Sequence, residues 1–302
     1  MNSAPKILIV GFGDVGARLA KLLAPKYKVF ALIRDVSKSA RADVARICGA
    51  VPVYGDLDDR HSLSRIAGLA NIVFHFAPPA TLPPRGIDDK RTRRLLAALH
   101  QNGAAMLPQR LIYISTTGVY GDCMGASIDE TCHVAPTTDR AVRRVHAESL
   151  LRQWGTRTGV KVSILRAPGI YAADRLPIER LNKATPALIE ADDVFTNHIH
   201  AQDLARAALA AATRGLPNRI YNVVDNTSLK MGDYFDLVAD HFRLPCPPRV
   251  SRAEASVVIG APMLSFMSES RRIRNQRLKQ ELRLQLNYPT IKDFLDGLLP
   301  VA

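Results

Sequence analysis

An apolar run, Ile7-Leu-Ile-Val10, passes without a spacer into Gly11-Phe12-Gly13-Asp14-Val15-Gly16 and then into Ala17-Arg-Leu-Ala-Lys-Leu-Leu23. Few local arrangements constrain a fold more tightly. A strand, a glycine turn and an amphipathic helix in that order predict a βα unit whose turn faces an anion. Gly11 permits the tight turn, Gly13 lets backbone N–H groups approach a pyrophosphate, and Gly16 lets the helix pack close to the strand. Phe12, Asp14 and Val15 complete the same cofactor-binding loop.

The rest of the first half repeats that rhythm. Val29 to Ile33, Val51 to Tyr54, Ile72 to Phe76, Leu111 to Ile114 and Val162 to Leu165 read as strands buried on both faces. Between them, Ala40 to Cys48, Leu63 to Ala67, Thr92 to Leu99 and Ala141 to Trp154 space their apolar residues for helices that pack on a sheet. The fold class expected is α/β, a Rossmann doubly wound parallel sheet with a small C-terminal substrate lobe. Residues 1–167 form the NAD(P)-binding domain in this reading. Residues 168–302, with Pro-rich stretches such as Leu244-Pro-Cys-Pro-Pro-Arg249 and helices at Asp203 to Thr213 and Met231 to His241, form the lobe, with a strand or helix returning to the first domain.

The second strand ends at Ile33-Arg34-Asp35. A guanidinium at Arg34 matches the 2′-phosphate of NADP, whereas Asp35 would serve the ribose of NAD, so NADP is the expected cofactor and NAD the alternative. After the third strand, Asp56 of Gly55-Asp56-Leu57 is placed to hold the adenine amino group or to cap a helix.

Charge bears on the partner. Forty-one Lys and Arg against 28 Asp and Glu leave a formal +13, which fits a polyanion. The basic residues lie in short separate groups with no interleaved aromatics, so no nucleic-acid partner is expected, and an anionic small molecule is. No apolar run has the length of a membrane span, and Met1 to Lys6 carries none of the marks of a secretory leader, so a cytoplasmic location is expected. Cys48, Cys123, Cys132 and Cys246 form no C-x-x-C pair. His198-x-His200 has strand spacing, but no cysteine or carboxylate cluster completes a metal site, and none is expected.

The chain resembles the extended short-chain dehydrogenase/reductase superfamily in its NAD(P)-dependent epimerase/dehydratase branch. The likeness rests on the Gly11 to Gly16 loop, Gly55-Asp-Leu57, Val73-Phe-His-Phe-Ala77 and Ile112-Tyr-Ile-Ser-Thr-Thr-Gly-Val-Tyr-Gly121. Leu165-Arg-Ala-Pro-Gly-Ile-Tyr171, Asn197-His-Ile-His-Ala-Gln-Asp203 and Ile220-Tyr-Asn-Val-Val224 extend it. It implies cofactor contacts at Leu57, Ala77, Pro78, Ser115 and Pro168, a reactive hydroxyl at Thr116, and dimerisation through the helices at Thr92 and Ala141.

The resemblance breaks at the chemistry. The family's Tyr-x-x-x-Lys is followed by a Glu four residues on. Anchored on Glu148, that motif falls on Arg140-x-x-x-Arg144, and no Tyr or Lys occurs between Gly121 and Gly159. An arginine stays charged, so it stabilises an oxyanion or clamps a carboxylate or phosphate but does not act as a base. Tyr120, Tyr171 and His133 are the replacement acids considered. The run Arg271-Arg-Ile-Arg274 to Arg277-Leu-Lys279 offers an anion contact or a solvated helix face. Two functions follow: an NADP-dependent oxidoreductase or epimerase/dehydratase acting on an anionic metabolite or nucleotide sugar through Thr116, Arg140, Arg144 and Tyr120, or a non-enzymatic NAD(P)H-binding sensor.

Overall fold

The computed structural model describes residues 4–34, 40–80, 87–101, 106–260, 264–265 and 267–298. Asp35, weighed above for an NAD ribose, lies outside them. The N-terminal half supplies strands β1 (Lys6–Val10), β2 (Lys28–Ile33), β3 (Ala50–Tyr54), β4 (Ile72–His75) and β5 (Arg110–Thr116). Helices α1 (Asp14–Leu23), α2 (Ala40–Ile47) and α3 (Lys90–His100) lie between them. After the short β6 (Ser127–Ile128) comes the longest helix, α4 (Asp139–Thr158), and then β7 (Lys161–Ala167).

The second half is more broken. It contains β8 (Gly169–Tyr171), α5 (Ile178–Asn182), β9 (Ala187–Leu188), β10 (Phe195–Thr196), β11 (His198–His200), α6 (Ala201–Arg214) and β12 (Arg219–Asn222). There follow β13 (Leu229–Lys230), α7 (Met231–Phe242), β14 (Arg249–Val250), α8 (Arg252–Val258), β15 (Arg272–Ile273), and two short helices at Gln276–Gln280 and Ile291–Asp296.

Seven strands form one sheet in the order β12-β7-β5-β4-β1-β2-β3, every neighbouring pair parallel. Because the crossover direction reverses between β1 and β4, a crevice opens beyond their carboxyl ends. The alternation of side chains divides the core. Ile7 and Ile9 of β1 join Leu19, Leu23 and the alanines of α6 on one face. Leu8 and Val10 join Leu95, Leu99, Leu151 and Trp154 on the other. Helix α6 is alanine-rich and buries nine residues against the sheet and α1, so a helix from the second half covers the first. β12 likewise extends the first half's sheet. No helix among the described residues is long and apolar enough to cross a membrane.

One expected helix differs. Leu63 to Ala67 is instead the 3₁₀ turn His61–Ile66. Ser62 Oγ donates to the carbonyl of Asp59 at 2.8 Å and accepts from the amide of Asp56 at 2.8 Å, and these local bonds hold the segment in a tight turn.

Glu148 anchors α4 on the sheet. It is buried and accepts from Arg166 Nη2 at 2.7 Å, Arg166 Nε at 3.1 Å and Ser115 Oγ at 2.6 Å, joining α4 to β7 and β5. Arg166 also stacks over Tyr120, 4.7 Å from the ring centroid. With the two charged side chains only 4% and 6% exposed, removing one strands the other. Arg166→Met is therefore expected to lower unfolding free energy by about 3–5 kcal/mol, read as a shift in urea midpoint at unchanged m.

Candidate functional site

Gly11 adopts φ +94°, and a Cβ there would sit 2.3 Å from the backbone nitrogen of Ala77. The turn and the end of β4 are therefore in direct backbone contact. Phe76 N and Ala77 N both donate to the carbonyl of Val10, at 2.7 and 3.1 Å. Gly16 fits against the carbonyl of Gly11, which a Cβ would approach to 3.1 Å. Gly13 is different: a Cβ there meets nothing within 4 Å. Gly13 is also the N-cap of α1 and makes no side-chain cap bond, which leaves the positive end of a ten-residue helix facing open space.

Two cavities follow the carboxyl ends of the strands. The first, about 640 Å³, is lined by Gly11, Phe12, Arg34, Asp56, Leu57, Ala77 and Pro78, together with Arg41 and Arg91. Seven of the expected cofactor positions meet there. Gly13, Asp14, Val15 and Gly16 form the adjoining turn and first helical residues, and the Asp14 carboxylate is drawn to Arg18 Nε at 2.8 Å. Asp56 lines the cavity, and its Oδ1 accepts from the amide of Asp58 at 2.9 Å. It does not cap the following 3₁₀ turn, whose N-cap is Arg60. Arg91 pairs with Asp58, a contact that holds the Asp58 carboxyl below its usual range.

The second cavity, about 680 Å³, is lined by Ser115, Thr116, Arg140, Arg144 and Pro168 of the expected residues. Strand alternation separates the hydroxyls: Ser115 points to Glu148, while Thr116 remains half-exposed and its Oγ1 accepts from Gly118 N at 3.2 Å. Arg144 Nη1 donates to the carbonyl of Ile114 at 2.7 Å and to the Tyr113 hydroxyl at 2.9 Å. Arg140 keeps much of its surface in solvent. Partial burial and the neighbouring charge of Arg144 lower its pKa, with Glu269 opposing.

Three replacement acids lie elsewhere. Tyr120 is 1% exposed, is absent from the cavity lining, and donates to Asn222 Oδ1 at 2.7 Å. The 3₁₀ turn Thr117–Tyr120 carries its ring inward, onto Arg166. Tyr171 is buried in the lobe's own core, and His133 is exposed.

Several lining residues were not singled out from the sequence. Arg180 lies 4.5 Å above the Phe235 ring, and burial lowers its pKa. Glu269 accepts from Thr137 Oγ1 at 2.8 Å and from Arg271 Nη1 at 2.7 Å. Tyr234 and His198 stack with centroids 4.2 Å apart. Arg271 does reach the cavity, whereas Arg277 turns to Glu130 at 3.6 Å and Lys279 to Asn226 at 2.7 Å. His200 accepts from Gln202 N at 3.2 Å and caps α6, and no group of metal-ligating residues occurs among the described residues. In all, Arg140, Arg144, Arg180 and Arg271 line the cavity together with Glu179 and Glu269, an excess of positive charge suited to an anion.

The sequence matches the family described as NAD dependent epimerase/dehydratase over residues 7–223. It is 28% identical over 286 residues to the GDP-6-deoxy-D-mannose reductase of Pseudomonas aeruginosa, covering 85% of this chain and 88% of that protein. It is 27% identical to the UDP-glucose 4-epimerase of Azospirillum brasilense, over 61% of this chain and 54% of the relative. Among solved structures, a functionally unknown conserved protein from Silicibacter pomeroyi superposes with TM-score 0.76 at 28% identity, covering 97% of each chain. The UDP-glucose 4-epimerase of Thermotoga maritima superposes with TM-score 0.77 at 18% identity, over 96% of each chain.

The two glycines separate folding from binding. Gly13→Asp is expected to leave stability within about 0.5 kcal/mol and to weaken dinucleotide binding by about a hundredfold, or about 2.8 kcal/mol. Gly11→Ala is expected to lose about 2 kcal/mol or more of stability through its backbone conformation alone. Calorimetric titration beside thermal melting checks both.

Proposed function

The chain belongs to the NAD-dependent epimerase/dehydratase family, and from that premise we propose that it binds a pyridine dinucleotide, NADP in preference to NAD, and transforms a small anionic substrate of the nucleotide-sugar class. The observation that carries this reading is a pair of cavities of different character beyond the carboxyl ends of the strands. One ends at an open helix terminus and a guanidinium, and the other is ringed by four arginines.

The first cavity fits the cofactor. The amides of the Gly11–Gly16 turn would receive its diphosphate, with no Cβ at Gly13 to obstruct them. Arg34 at the end of β2, with Arg41 on the same cavity wall, would take a 2′-phosphate. When bound, the cofactor supplies reversible two-electron chemistry at its nicotinamide ring. Thr116 then acts as a hydrogen-bond donor: its Oγ1 accepts from Gly118, which directs the hydroxyl proton elsewhere, toward a substrate oxygen. Arg144, pinned by Ile114 and Tyr113, fixes a positive charge beside that oxygen and stabilises charge developing on it. Arg140, Arg180 and Arg271 bind the substrate's anionic group, for which GDP- and UDP-sugars, the substrates named for two relatives, are the first candidates.

A second reading, a dinucleotide-binding protein without turnover, draws on the loss of the phenol–ammonium pair and on Tyr120 being bonded to Asn222. Incubation with reduced cofactor and a panel of GDP-, UDP- and dTDP-sugars, followed by absorbance and product mass, separates the two. Consumption of a sugar supports the enzyme. Tight cofactor binding with no sugar changed across the panel favours the second reading.

Arg34→Ala is expected to weaken NADPH binding by about tenfold to a hundredfold, or about 1.4–2.8 kcal/mol, while leaving NADH affinity within about threefold. Equal losses for both cofactors, measured by fluorescence titration, would remove Arg34 from the selection of NADP.

A further inference from the structure

Asp14, the first residue of α1, stands beside the open N-cap at Gly13. Its two carboxylate oxygens have different surroundings. Oδ1 accepts from Arg18 Nε at 2.8 Å, one turn along the same helix. Oδ2 is buried, has no hydrogen-bond partner, and lies 3.6 Å from Arg175 Nε, which makes an ion pair without a hydrogen bond. Arg175 comes from the second half of the chain, at the end of the 3₁₀ turn Ala173–Arg175. Its guanidinium makes no hydrogen bond to any described residue, and its side chain is 37% exposed.

The backbone, more than the ion pair, puts Arg175 there. Strand β8, just before the turn, pairs in parallel with β11, Gly169 against His198 and Tyr171 against His200. β11 runs directly into α6, and α6 packs along α1. The amide of Arg175 donates to the carbonyl of Ala172 at 2.9 Å, which closes the turn. A guanidinium of the lobe is thus brought to the N-terminus of α1 on a frame anchored in the sheet.

A dinucleotide changes the electrostatics of this spot. In the reading above its diphosphate meets the amides of the Gly11–Gly16 turn, of which Asp14 is a member. A carboxylate in the first turn of a helix is favourable while the terminus stands empty. It becomes unfavourable when two phosphate charges share that terminus, and Arg18 offsets only one negative charge. Arg175 is the second cation within reach. A partly exposed ion pair at 3.6 Å is weak, whereas a guanidinium on phosphate oxygens forms charge-assisted, bidentate hydrogen bonds. Arg175 can therefore turn from the carboxylate to the phosphates without giving up a hydrogen bond.

We propose that Arg175 is a cofactor-binding residue supplied by the lobe, which leaves Asp14 for the diphosphate when the dinucleotide binds. The proposal rests on the dinucleotide reading above and deepens it by naming a contact to the part of the cofactor that NADP and NAD share. Arg175 differs in this from Arg34, which would meet a phosphate that only NADP carries. Leu176 and Pro177, the next two residues, line the substrate cavity. A bound diphosphate is thereby linked through one side chain to the wall of the site where the substrate sits.

Calorimetric titration of the full-length protein with NADPH, NADH, ADP-ribose and adenosine 2′-monophosphate tests this. The first three carry a diphosphate and the last does not. Arg175→Ala should weaken binding of each of the three by about tenfold, leave adenosine 2′-monophosphate within about twofold, and keep the melting temperature of the unliganded protein within about 2 °C. The same substitution in an Asp14→Asn background, where the ion pair no longer exists, should still cost about tenfold. Loss of that cost would make Arg175 only a partner of Asp14 and overturn the proposal. So would a change under about threefold for all three diphosphates, or an equal loss for adenosine 2′-monophosphate. If the wild type binds neither dinucleotide nor ADP-ribose, the dinucleotide reading itself fails and Arg175 falls with it.

Discussion

The contact between Gly11 and Ala77 governs the molecule. Val10 offers one carbonyl to two successive amides of the β4 exit, and the chain can close to that distance only because residue 11 has no Cβ. That closure brings the turn of β1 and the end of β4 together at the point where strand order reverses. Everything functional sits downstream of it: the open N-terminus of α1, the cavity beside Arg34, and, one strand further, Thr116. A sheet of this order without the close approach would still have a crevice. It would not present backbone amides at the crevice's floor.

The site's charges are arranged in two tiers with different physics. Glu148 and Arg166 are buried, mutually neutralised and hydrogen-bonded to Ser115, so they fix α4 against β5 and β7. The arginines at the cavity range from exposed Arg140 to buried Arg271 and are only partly compensated by Glu179 and Glu269. Removing charge from the first tier would expose an unpaired ion to a low dielectric, whereas an anionic ligand entering the second relieves repulsion already present. This separation leaves the position of α4 independent of the charge that Arg140 presents to the cavity. The helix is held by Glu148, and its cavity-facing positions are free to vary.

How much of this the sequence disclosed depends on how local each cause was. Continuous apolar runs and the glycine turn act within a few residues, so the strands and the turn between β1 and α1 could be read directly. The tight turn at His61–Ile66 was misjudged as a helix because Ser62 closes hydrogen bonds to Asp56 and Asp59 that an apolar spacing does not encode. Tyr120 lay on the right segment, but a single 3₁₀ turn rotated it onto Asn222. Arg180, Tyr234 and Glu269 were out of reach for another reason. They come from three separate parts of the lobe, and only its docking brings them to one cavity.

That docking depends on α6. Asp203, fully buried on its first turn, accepts from the amides of Asn287 and Tyr288 at 2.9 Å each and so ties the C-terminal segment to the helix that covers α1. Tyr288 and Phe294 then pack on His200 and Tyr171, and β11 pairs with β8 in parallel register. The lobe is therefore not a flap hung from one hinge. Its aromatic core is built onto the same helix that packs on α1, behind the glycine turn. Tyr234 packs in that aromatic core, whereas Arg144 is held by β5. Side chains from opposite halves of the chain line one cavity only because both halves are built onto a single sheet.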